Sequence, residues 1–186
     1  MSDTDVTATR VYADAAVIEA AIARMGETLQ RKLTQRGILD PLMVGIHTGG
    51  VWVAERLHTA LCLDEPLGVL DISFYRDDFS RIGMHPQVRP SDLPVPVEDR
   101  HIILVDDVLQ TGRTIRAALD ILFDYGRPAS VMLAVLVRRG GRELPIAADA
   151  TGLDLKRELD QDPALQVKLT GPEPLALVLG RRSPSS

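Results

Sequence analysis

Asp106 and Asp107 follow the apolar run Ile102–Val105, and the chain continues Val108-Leu109-Gln110-Thr111-Gly112-Arg113-Thr114 before a helical pattern resumes. A buried strand that ends in carboxylates and turns into a helix start is where open α/β sheets hold ligands. The backbone N–H groups of Gln110 to Thr114, unpaired at a helix start and backed by its dipole, can cradle a phosphate, and the hydroxyls of Thr111 and Thr114 add donors. Gly112 lets the chain approach closely. Carboxylates accept hydrogen bonds and repel anions, so Asp106 and Asp107 suit sugar hydroxyls or a hydrated divalent cation beside the phosphate. Taken singly, these features read as a strand end and a helix cap. Combined in this order between Ile102 and Thr114, they describe a ribose phosphate site.

Two other phosphate-binding arrangements are poorly supported. The chain has no GxxxxGK[ST], and no GxGxxG follows its first strand as a dinucleotide site requires.

The elements that must position this segment alternate. Val17, Ile18, Ala21, Ile22, Met25 and Leu29 recur at helical spacing, with Gly37 as a stop. Leu42–Ile46 reads as a strand, Thr48-Gly49-Gly50 as a tight loop, and VWVAERLHTAL as a helix. Leu67–Asp78 reads as a second strand, with Leu70, Ile72 and Phe74 alternating with Asp71, Ser73 and Tyr75. From about 77 to 96 the chain carries Gly83, Pro86, Pro90, Pro94 and Pro96 with few periodic apolar residues, which predicts a long exposed flexible loop of the kind that forms lids. Ile102–Val105 is then a short buried strand, Ile115, Ala118, Leu119 and Leu122 mark one face of a helix closed by Gly126, and ASVMLAVLV is another buried strand. Apolar strands alternating with helices predict a mostly parallel α/β sheet. Beyond Arg138, LQVKL and LALVL read as small terminal strands, and about 181 to 186 as a disordered tail of one single domain spanning 1 to 186.

The bulk numbers agree with an enzyme-sized globular domain. The chain has 186 residues, 45% hydrophobic and 25% charged, long enough to bury a core without disulfides. No apolar run is long enough to span a bilayer, and the N-terminus lacks the pattern of a secretory signal, so a cytoplasmic protein is expected. Cys62 is the sole cysteine and reads as a packed small side chain. A net charge of −5 makes the whole molecule a poor general binder of nucleic acid, although Arg127, Arg138, Arg139, Arg142, Lys156 and Arg157 form a locally basic stretch.

The segment Ile102–Thr114 resembles the phosphoribosyl pyrophosphate (PRPP) motif of type I phosphoribosyltransferases: four apolar residues, two acidic ones and a loop closing in Thr-Gly-x-Thr. The resemblance extends to the PyrR family, pyrimidine operon attenuators with uracil phosphoribosyltransferase activity. VGIHTGGVWVAERL, DISFYRDDFSR, DDVLQTGRT, YGRPASVMLAVLV and RGGRELPI carry it, from about Val44 to Ile146. It implies the type I phosphoribosyltransferase fold, with a small hood and a flexible loop. It also implies conversion of uracil and PRPP to UMP and pyrophosphate, with Mg2+ carried by PRPP and no direct protein metal site.

By the same resemblance, His47, Thr48, Gly49 and Gly50 hold the pyrophosphate end of PRPP. Arg76, near Asp71 and Tyr75, is expected to contact a phosphate through its forked guanidinium, or else to pair with Asp77 or Asp78. With Asp106 and Asp107 it completes the expected catalytic set. The base should lie under the hood, near Val137 and Arg138, the latter either bonding a base carbonyl or simply solvated. The chain departs from its relatives here. Gly49 stands where an arginine is common, Arg138 where an aspartate is, and Ala150 where an aromatic is, while LTGPE lacks an expected acidic residue. Trp52 reads as helix packing rather than a base platform. UTP, a homo-oligomer and the leader of pyrimidine-gene mRNA are the other implied partners. A nucleotide-sensing RNA-binding attenuator and a purine phosphoribosyltransferase are the alternatives.

Overall fold

The computed structural model describes residues 6–73, 91–160, 162 and 164–182. In chain order the elements are β1 (Val6–Ala13), α1 (Ala15–Arg36), β2 (Leu42–Ile46), α2 (Gly49–Ala60), β3 (Gly68–Leu70), β4 (His101–Leu109), α3 (Arg113–Tyr125), β5 (Ser130–Arg138), β6 (Ala150–Asp154), α4 (Lys156–Asp160), β7 (Leu165–Thr170) and β8 (Ala176–Arg182). Five strands form one sheet in the order β3-β2-β4-β5-β6, every neighbouring pair parallel. A second, antiparallel sheet, β1-β8-β7, joins the two ends of the chain.

The central strands are apolar on both faces because both faces are covered. Met43, Ile103, Val105, Met132 and Ala134 meet α1 and α2 in one core. Leu42, Val44, Ile102, Leu104, Leu133 and Val135 meet α3 and the Val97 segment in the other. Helix α1 starts at Asp14, whose carboxylate accepts from the Val17 amide at 3.0 Å, and stops at Gly37, whose φ of 65° is the left-handed conformation that favours glycine. Its buried stripe is Ile18, Ala21, Ile22, Met25, Leu29 and Leu33; Val17, expected on that stripe, is 46% exposed because it sits at the capped first turn.

Strand order decides where a ligand fits. From β2 the chain crosses by α2 to β3 on one side, whereas from β4 it crosses by α3 to β5 on the other. The carboxyl ends of β2 and β4 therefore diverge, and their loops open a crevice at the switch point.

Several expectations are corrected. The second strand is short: β3 ends at Leu70, and Asp71 then folds back so that its carboxylate accepts from the Ser73 amide at 2.8 Å. Phe74 to Pro90, which include Arg76 and most of the expected loop, lie outside the described residues. The end of that loop is tied to the body. Asp92 exchanges backbone hydrogen bonds with Val69 at 2.8 and 2.9 Å, Ser91 Oγ accepts from the Asp71 amide, and Val97 is buried. Arg181 and Arg182 belong to β8 rather than a tail, and Arg181 pairs with Asp162 at 2.7 Å. Strands β1 and β6 and helix α4 were not expected, since each is short or weakly patterned and acquires its partners from distant parts of the chain.

Leu57 is fully buried against Gly26 of α1, at the crossing of the two helices that back the sheet. Leu57→Ala should cost about 2–5 kcal/mol of unfolding free energy, read as a lower urea midpoint with an unchanged slope.

Candidate active site

Strand β4 continues four residues beyond the expected Val105 because β5 keeps pairing with it: Asp106 with Val135, Val108 with Val137, Leu109 with Arg138. Strand β2 pairs with β4 only as far as Val105. Past that point one edge of β4 is open, and the two aspartates stand there. Asp106 is 4% exposed and its Oδ1 accepts from the Asp107 amide at 3.0 Å.

The loop after Leu109 is held from behind. The carbonyl of Leu109 accepts from Arg139 N–H at 3.1 Å, that of Gln110 from the Arg142 guanidinium, and that of Thr111 from the amides of Glu143 and Leu144, both at 3.0 Å. Gly112 O accepts from Arg116 N–H inside α3. A peptide's N–H points opposite to its C=O, so engaging successive carbonyls on the outside turns amides toward the crevice. Gly112 takes a φ of 95°, and a Cβ there would lie 3.3 Å from the Leu144 side chain. Thr111 Oγ1 accepts from the Arg113 amide at 3.2 Å, and Arg113 Nε donates to Glu143 at 2.7 Å.

The second loop, from β2 to α2, presses on the aspartates. A Cβ on Gly50 would lie 2.6 Å from the Val105 carbonyl, and one on Gly49 would lie 2.3 Å from Asp107 Oδ2. Only hydrogen fits at either position unless neighbours move. The Asp107 carboxylate thus occupies the space where a side chain at 49 would begin.

Between these loops lies a cavity of about 940 Å3, at the upper end of the range for small-molecule sites. His47, Thr48 and Gly49 line it on one side, Asp106 through Thr114 along its floor, and Gln166 to Leu169 of β7 on the hood side. The structure therefore brings together the expected residues of both loops, with Gly50 directly behind them. The base-side expectations fare differently. Val137 is fully buried in the core, and Arg138, 47% exposed in its side chain, pairs with Asp154; neither lines the cavity. The Arg138 hydrogen bond holds the Asp154 carboxyl below its ordinary range.

Arg139, Glu143, Ile72, Trp52 and the β7 residues line the cavity without having been singled out for it. Trp52 does pack, since a Cβ on Gly171 would lie 2.9 Å from its ring, but it is also part of the wall. Strand β7 is legible as the terminal strand LQVKL but not as part of the wall, because its place over the cavity depends on pairing with β8 and, through it, β1. Within the basic stretch, Arg139 is buried, Arg138 is paired, and Arg142 is spent on the Gln110 carbonyl.

Residues 12–166 match the phosphoribosyl transferase domain. The chain is 61% identical over 160 residues to the bifunctional protein PyrR of Nitrosococcus oceani, covering 85% of this chain and 88% of that one. It is 57% identical over 165 residues to the bifunctional protein PyrR of Pseudomonas paraeruginosa, covering 89% and 95%. In fold it resembles the hypoxanthine phosphoribosyltransferase of Trypanosoma cruzi, with a TM-score of 0.66 at 19% identity over 94% of this chain and 97% of that one. With the loop, the carboxylates and the hood in the arrangement described, the chain belongs to the PyrR family of phosphoribosyltransferases.

Proposed function

We propose that this protein transfers the phosphoribosyl group of PRPP to uracil, giving UMP and pyrophosphate. The observation that carries the reading is the carbonyl-backed loop Gln110–Thr114 beside the carboxylates of Asp106 and Asp107. Uracil as the base rests on kinship with PyrR proteins, since the cavity itself admits a ring of either size.

In this reaction uracil N1 forms a bond to the anomeric carbon as the bond from that carbon to the pyrophosphate oxygen breaks, and the N1 proton is released. Positive charge grows on the ribose and negative charge on the leaving group. Amides of the Gln110–Thr114 loop take the 5′-phosphate, aided by the dipole of α3, with the Arg113 N–H exchanging Thr111 Oγ1 for a phosphate oxygen. Asp106 and Asp107 hold the ribose hydroxyls and favour the oxocarbenium-like charge. His47, Thr48 and Gly49 face the pyrophosphate, and Arg76, which lies outside the described residues, is the proposed cation for it. Gly49 brings no charge there, so the leaving group depends the more on backbone donors and on that arginine. Loop amides fixed in advance cost no reorganisation when the charge develops.

The donor set suits a metal that arrives with substrate. Asp106 and Asp107 line the cavity with the hard carboxylate oxygens that magnesium takes one or two at a time when substrate phosphates supply the rest. Magnesium would sit on PRPP oxygens with Asp106 and Asp107 alongside, and it would supply neutralising charge to the pyrophosphate. A cytoplasmic location fits this substrate, and no helix of the described residues is long and apolar enough to cross a membrane.

A regulatory role accompanies catalysis in this proposal, because the relatives are named bifunctional. It would make UMP and UTP effectors of binding to the leader of pyrimidine-gene mRNA, with a homo-oligomer presenting the RNA face.

Purified protein with PRPP and magnesium should release pyrophosphate on addition of uracil; release only with hypoxanthine or guanine would replace the pyrimidine by a purine. In the same assay Asp107→Asn should lower kcat/KM for PRPP by about a hundredfold, with thermal stability little changed, and an undiminished rate would remove Asp107 from the mechanism. Filter binding should show affinity for the leader over scrambled RNA that depends on uridine nucleotide and falls with salt; equal weak binding of both would reject sequence-specific regulation.

A further inference from the structure

Successive residues of an extended chain point to opposite sides, and Arg138 at the end of β5 and Arg139 just past it part accordingly. Arg138 turns outward to Asp154. Arg139 turns inward: it is 7% exposed, it lines the cavity, and its backbone N–H is fixed to the Leu109 carbonyl at 3.1 Å. Its guanidinium has no hydrogen bond or ion pair among the described residues, and its Nε is sealed from solvent without a partner. Asp160 acts on it through space without pairing, while burial pulls its pKa down.

A guanidinium is a fork of donors with no acceptor. Leaving Nε buried and unfilled is unfavourable, and the terminal N–H groups, which meet no described partner, are left to a molecule in the cavity that Arg139 lines. Position says which part of the ligand does so. Strands β2 and β5 flank β4 on opposite sides. The loop after β2 faces the leaving group, the loop after β4 takes the 5′-phosphate, and Arg139 follows β5 on the other side of β4, lining the cavity that the hood residues of β7 also line. The sugar's remaining substituent is the base.

We infer that Arg139 donates hydrogen bonds to a keto oxygen of the base and is the residue by which the site selects a ring bearing a carbonyl on that edge. This rests on the proposed phosphoribosyltransferase reading and assigns the base contact to Arg139 in place of Arg138. Because the guanidinium is not committed to any described protein group, it serves the ligand and not the fold.

Calorimetric titration of UMP and of ribose 5-phosphate separates the base's share of binding from the rest. Wild-type protein should bind UMP more tightly than ribose 5-phosphate by about tenfold or more, and Arg139→Met should remove most of that difference while binding ribose 5-phosphate as before. Arg139→Lys, which keeps a charge but not the fork, should fall between. Neither variant should melt earlier than wild type, since no hydrogen bond within the described residues is broken. If Arg139→Met keeps the preference for UMP, or loses affinity for both ligands equally, the inference is overturned; if wild type shows no preference for UMP, the phosphoribosyltransferase reading fails first and this one with it.

Discussion

The direction in which a few peptide groups point governs this site. A loop that binds phosphate must aim several N–H groups one way, and their carbonyls then point the other way and need partners of their own. Here the segment from Arg139 to Leu144 supplies them, capping the carbonyls of Leu109, Gln110 and Thr111 in turn. That segment is anchored in its turn. Ile146 packs against the core under α3, and Asp149 both donates its amide to the Leu133 carbonyl and accepts the Leu133 amide on its carboxylate. The connection between β5 and β6 lacks a helix, and an irregular backbone is what leaves its N–H groups available for this work.

A second constraint is distance. Gly49 and Gly50 bring the β2–α2 loop within hydrogen contact of the Asp107 side chain and the Val105 backbone. The two loops are therefore coupled: moving either displaces the other. Pyrophosphate and ribose occupy one continuous surface in the proposed reaction, so this coupling keeps the reacting carbon and its leaving group in fixed relation. It also explains why glycine at 49 is compatible with this chain, where the Asp107 carboxylate fills the room a side chain would need.

The hood is built from parts far apart in sequence, and Arg56 holds it down. This arginine of α2 donates to Glu19 of α1 at 2.8 Å, to the Pro172 carbonyl at 3.0 Å and to Glu173, with its own helix carbonyl at Trp52 as a further acceptor. One mostly buried guanidinium thus ties the turn between β7 and β8 to both helices behind the sheet. The wall over the cavity is fixed to the body through that joint as well as through strand pairing.

The amino-acid sequence by itself determined the strands that are apolar throughout, the first helix with its stop at Gly37, and the phosphoribosyltransferase motif at Ile102–Thr114, because those signals are local: period, a glycine stop and a motif whose residues are adjacent. Only the tertiary structure decided the rest. Whether Arg138 or Arg139 lines the cavity depends on which side of β5 the cavity lies, and a strand buried on both faces carries no alternation from which to read it. Which residues roof the site depends on β1 pairing with β8 across the length of the chain, and why the loop amides point inward depends on a segment thirty residues downstream that reads, taken alone, as an ordinary charged turn.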